Sequence, residues 1–143
     1  MDTDTDMKDK NGTELRYAEL TNKVIGAFYD VYNELGHGFL ESVYRQAMQL
    51  ALMELGLRVE SERPMVVFFR GKAVGEFRAD LVVEDTLVLE LKATRSLDPS
   101  HEAQLLNYLR ATRMEVGLLL NFGERPEFKR LLYDNERKAR RII

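Results

Sequence analysis

The run from Arg78 to Ala93 constrains what this chain can fold into more than any other stretch. Leu81, Val82, Val83, Leu87, Val88, Leu89 and Leu91 supply apolar and β-branched side chains for two buried strands, with Glu84-Asp85-Thr86 as a short polar turn between them. Into this apolar material the sequence inserts Asp80, Glu90 and Lys92. Strand side chains alternate faces, so Glu90 and Lys92 project to one side, roughly 6–7 Å apart. A hairpin carries Asp80 across to meet Glu90. Charges in such a setting are costly unless they pair with one another or bind something. An acid-x-Lys triplet alone also reads as an ordinary strand-edge ion pair in water. The acid ten residues upstream sets this triplet apart.

The rest of the chain divides by period. Leu20, Val24, Ala27, Phe28, Val31 and Leu35 follow at helical spacing from a start near Thr13, and Gly36 ends that helix. A second helix is expected from about Leu40 to Leu55, with Val43, Ala47, Leu50, Ala51 and Leu55 as its buried stripe. Glu41 then sits in the first turn, where an acid suits the helix dipole whatever else it does. After Gly56 the pattern becomes strand-like: Leu57–Glu60 alternates, Met65–Phe69 is a strand opened by Pro64, Arg70-Gly71-Lys72 is a turn, and Ala73–Val83 returns. A third helix starts at Pro99 or Ser100 and runs to about Thr112, with His101, Gln104 and Tyr108 sharing a face. Val116–Phe122 reads as a buried strand reached by a parallel crossover, and Phe128–Tyr133 as an edge strand.

Gly38-Phe39-Leu40-Glu41-Ser42-Val43-Tyr44 fits G-x-x-E-x-x-Y. Together with Asp80, Glu90-Leu91-Lys92-Ala93 and Gln104-x-x-x-Tyr108 in that order, the chain from about Val24 to Phe122 resembles the GxxExxY proteins of the PD-(D/E)XK nuclease superfamily. Ala79 stands where the eponymous proline would be. The resemblance implies an α/β (α+β) fold with a restriction-endonuclease-like core, a mixed β-sheet flanked by helices in the order ααβββ(β)αββ. It also implies a metal-dependent nuclease site. Asp80, Glu90, the backbone carbonyl of Leu91 and Glu41 would hold Mg²⁺ or Mn²⁺; Lys92 would touch the attacking water or the scissile phosphate. Gln104 and Tyr108 would orient Lys92 or a water, or contact DNA, with His101 as an auxiliary. The implied partner is nucleic acid, DNA favoured over RNA, and a homodimer is among the open oligomeric states.

Composition sets the outer limits. The 143 residues suit a single domain, expected over 13–134, with 1–12 a disordered acidic tail and 135–143 a basic C-terminal tail. With no cysteine, neither a disulfide framework nor a thiolate site is available. No apolar run reaches the length of a membrane span, so a cytoplasmic protein away from membranes is expected. The net charge of −3 conceals an asymmetry. Residues 1–90 carry 10 Lys+Arg against 17 Asp+Glu, whereas residues 91–143 carry 11 against 7. An acidic metal-holding part and a basic phosphate-facing part fit that division. Two other classes remain: a non-catalytic nucleic-acid-binding or partner protein on a nuclease-like fold, and a scaffold whose carboxylate cluster is incidental.

Overall fold

The computed structural model describes residues 13–142; the expected acidic tail over 1–12 lies outside them. The elements follow as α1 (Thr13–Leu35), α2 (Glu41–Glu54), β1 (Val59–Phe69), β2 (Lys72–Val83), β3 (Leu87–Lys92), α3 (Pro99–Ala111), β4 (Val116–Phe122), β5 (Pro126–Leu132) and α4 (Asn135–Ile142). The five strands form one mixed sheet in sequence order. β1, β2 and β3 pair antiparallel through short turns, β3 and β4 run parallel across the α3 crossover, and β5 returns antiparallel to β4. The segment expected as a basic tail therefore contains a helix, α4, whose Lys138 Nζ donates to the carbonyls of Thr112 and Met114 at 2.8 and 2.6 Å.

Strand alternation builds two cores. Leu87, Leu89 and Leu91 of β3 join Val116, Leu118, Leu120 and Phe122 of β4 under α1 and α2. Val88 and Leu119 face the other way, onto Leu105, Tyr108 and Leu109 of α3. Glu90 and Lys92 share the parity of Val88, so they belong to the α3 face. Both faces of β4 are covered, which is why its sequence is continuously apolar.

Two expectations need correction. The strand-like segments on either side of Pro64 form a single strand, β1, with Glu62 in a left-handed conformation (φ 54°) inside it. Proline is tolerated there because β1 is the edge of the sheet. On α2, the buried side chains are Tyr44, Met48 and Leu52. Val43, Leu50 and Leu55 of the expected stripe are 38%, 64% and 52% exposed. This helix carries two apolar stripes, and Tyr44 decides between them: its ring stacks on Phe122 at 4.2 Å and its hydroxyl donates to the Gly36 carbonyl at 2.6 Å. That hydroxyl also accepts from the Phe39 N–H at 3.3 Å. Gly36 and Gly38, at φ 68° and 109°, let the chain reverse tightly enough for those bonds.

Candidate active site

The site forms where β2 and β3 part. Their ladder runs Val83–Leu87, Val82–Val88 and Leu81–Leu89 and then stops. The next pair in that register is Asp80 and Glu90, whose side chains take over from the backbone. Leu91 N–H donates to Asp80 Oδ2 at 2.7 Å, and Asp80 N–H lies 3.4 Å from Glu90 Oε1. The gap between the strands therefore leaves two carboxyls side by side with their amides satisfied.

Electrostatics follow from that placement. Burial is the main cause that raises the Asp80 carboxyl above its ordinary range; the Leu91 N–H bond, Arg45 and Lys92 oppose it, while Glu62 adds to it. Glu90 is pushed up to about 8, first by burial and then by the neighbouring Asp80 charge. The Asp80 N–H and Lys92 pull it down, and Glu41 contributes a smaller push upward. Tyr108 is likewise raised, by burial and then by Glu90. Its ring meets Phe77 edge-on at 3.9 Å, and its buried hydroxyl has no hydrogen-bond partner among the described residues.

The sequence-derived residues are thus assembled only in part. Asp80, Glu90, Lys92 and Tyr108 share one electrostatic environment. Glu41 opens α2 from an exposed position and reaches Glu90 through its charge. Among the described residues, no three His, Cys, Asp or Glu side chains form a single metal-holding group. Gln104 is exposed although Tyr108, one turn later, is buried. His101 serves the helix: its Nδ1 accepts from Asp98 N–H at 3.2 Å, completing a capping box at the start of α3.

Sequence reasoning missed Arg45 and Glu62. Arg45 Nη2 lies 3.5 Å from Glu62 Oε1, and both charges act on Asp80. Arg45 follows Glu41 by four residues, a spacing that places both on one helix face. That spacing was the available signal. Glu62 is found only from the register, between the pairs Ser61–Leu81 and Arg63–Ala79, opposite Asp80.

The donor set fits a small hard cation. Asp80 and Glu90 offer carboxylate oxygens, and Mg²⁺ or Mn²⁺ commonly takes one or two such ligands and keeps water elsewhere. Two crowded carboxyls, both held toward the neutral form by burial, are what a divalent charge would relieve.

Comparison with known proteins bears on the family and the fold. The family model of the PD-(D/E)XK nuclease superfamily matches residues 18–131. A crystal structure of the protein SSO0001 shares the fold, with a TM-score of 0.51, 22% identity and 88% of this chain covered. The match spans 65% of that protein's chain, slightly under two thirds of its length. No curated protein matches the sequence.

Proposed function

Because the chain belongs to the PD-(D/E)XK nuclease superfamily, we propose that it is a metal-dependent nuclease hydrolysing phosphodiester bonds of nucleic acid, with DNA favoured over RNA. The observation that carries this reading is the Asp80–Glu90 pair at the parting of β2 and β3, with Lys92 beside it. The G-x-x-E-x-x-Y run over Gly38–Tyr44 fits the GxxExxY branch.

In this scheme Asp80, Glu90 and the Leu91 carbonyl hold Mg²⁺ or Mn²⁺, with Glu41 as an outer carboxylate. The bound ion supplies positive charge where phosphate oxygens approach and makes water more acidic. Lys92 holds the attacking water or a non-bridging phosphate oxygen, using an ammonium whose hydrogen bonds rotate freely. The Tyr108 hydroxyl, buried and unpaired among the described residues, orients Lys92 or that water. Exposed Gln104, one turn away, meets the nucleic acid backbone. Phosphodiester hydrolysis asks for this combination: a positioned water and cationic neutralisation of the developing charge.

The test is cleavage of single- and double-stranded DNA and RNA with Mg²⁺, Mn²⁺ or EDTA, run beside Lys92→Ala. Metal-dependent cutting that disappears in the variant is the expected result. No cutting on any substrate, or equal cutting by both proteins, would overturn the reading.

A further inference from the structure

We propose that Arg45 is a phosphate-binding residue of this site, kept beside Asp80 by Glu62 until a nucleic-acid phosphate displaces that carboxylate. This rests on the nuclease reading and adds to it the substrate contact and its gate. Glu41, Arg45, Met48 and Leu52 follow at i, i+4, i+7 and i+11 on α2, so Arg45 lies on the flank of the buried face. α2 crosses β1, β2 and β3. Arg45 meets Glu62, whose position on β1 is opposite Asp80, and the charges of Arg45 and Glu41 act on Asp80 and Glu90 respectively. The Arg45 side chain is only 22% exposed, so its cation is directed by its surroundings.

Glu62 is a poor permanent partner. One oxygen approaches one guanidinium nitrogen at 3.5 Å, and the carboxylate is 54% exposed. Such a contact contributes little in water. A phosphate offers a guanidinium two parallel hydrogen bonds and a larger negative charge. Glu62 also occupies left-handed backbone, which costs energy for any residue other than glycine. An acid in that conformation, opposite Asp80, pushes the Asp80 carboxyl further toward its neutral form. Its placement is intelligible if it screens Arg45 in the empty site and yields when an anion arrives.

The exchange is read from affinity and its salt dependence. Full-length protein and labelled duplex DNA are titrated by anisotropy with Ca²⁺ as the divalent ion, for wild type, Arg45→Ala, Arg45→Lys, Glu62→Gln and the double variant Arg45→Ala/Glu62→Gln. Arg45→Ala should weaken binding roughly tenfold, as expected for one charge-assisted pair. It should also lower the slope of log affinity against log salt by about 1. Arg45→Lys should recover the slope and part of the affinity. Glu62→Gln should tighten binding about two- to fivefold, and this gain should vanish in the Arg45→Ala background. Melting curves identify any variant that does not fold, and Glu62→Gln tests the exchange independently of Arg45→Ala. Unchanged affinity in Arg45→Ala, weaker binding in Glu62→Gln, or a gain that persists without Arg45 would overturn the exchange while leaving the nuclease reading intact. Wild-type protein that neither binds nor cuts nucleic acid would overturn both.

Discussion

Asp80 and Glu90 occupy opposed positions on β2 and β3, one step beyond the last ladder pair, and close that step with carboxylates in place of backbone carbonyls. The strands can part there without orphaning the amides of Asp80 and Leu91. The same bonds bring two acids together in a place where water is scarce, and the raised Glu90 carboxyl is the result. Four predictions follow from this arrangement and its support.

Divalent metal should bind through Asp80 and Glu90 in a pH-dependent way. The Glu90 carboxyl lies at about 8 without metal, so it must lose a proton before it can act as a ligand. Affinity for Mg²⁺ or Mn²⁺ should rise as pH climbs towards 8, by up to about tenfold per unit, and level off above it. Calorimetry in buffers of different ionisation heat reads both affinity and proton release. Asp80→Asn should abolish binding; unchanged binding would remove Asp80 from the site.

Glu90→Gln should stabilise the metal-free protein. A carboxyl whose folded value exceeds its unfolded value makes the folded state bind more protons, so stability falls as pH rises between about 4.5 and 8. The variant lacks that loss. Its melting temperature in EDTA should exceed that of the wild type by a margin that grows from pH 5 to pH 8. Metal at 100 times its dissociation constant should stabilise the wild type by roughly 2.7 kcal/mol and the variant much less. A variant less stable than wild type in EDTA, with no metal effect in either, would favour an incidental Glu90–Lys92 pair.

Lys92→Ala should fold and bind metal yet lose cleavage by roughly 10²–10⁴-fold, the range for a lost proton-transfer or charge-stabilising group. Tyr108→Phe should separate stability from activity. Removing a buried hydroxyl that has no partner among the described residues is neutral or slightly stabilising, while cleavage falls less than in Lys92→Ala. Gln104→Ala should also reduce cleavage modestly. A marked drop in the melting temperature of Tyr108→Phe would show that the hydroxyl is structural.

Asn121→Ala should loosen the segment after Lys92. The buried Asn121 side chain accepts from Thr94 N–H and donates to the Thr94 carbonyl, both at 3.0 Å, and reaches Glu127 at 3.2 Å. Its removal leaves Thr94 polar groups unpaired, a loss of about 2–4 kcal/mol together with the cavity. Hydrogen exchange should rise first at Thr94. An unaltered melting temperature and exchange pattern would contradict the role.

The sequence by itself determined most local elements and singled out Asp80, Glu90 and Lys92 as candidates for chemistry. Period-two patterning around Glu84-Asp85-Thr86 required a hairpin, the apolar run Val116–Phe122 required a strand covered on both faces, and Asp80 with Glu90-x-Lys92 stood out against their apolar neighbours. These are statements about short range, where alternation and helical period hold irrespective of what the chain packs against. Tertiary structure alone decided which of two apolar stripes on α2 is buried, because Tyr44 reaches Phe122 and Gly36 only in the folded chain. It alone separated buried Tyr108 from exposed Gln104 on one helix, since the side chain that meets Phe77 is set by how α3 lies on the sheet. It also set Glu62 opposite Asp80 and brought Arg45 to Glu62 across distant elements. Periodicity specifies that a face exists; burial and charge are sums over neighbours remote in sequence, and only the packed chain specifies those neighbours.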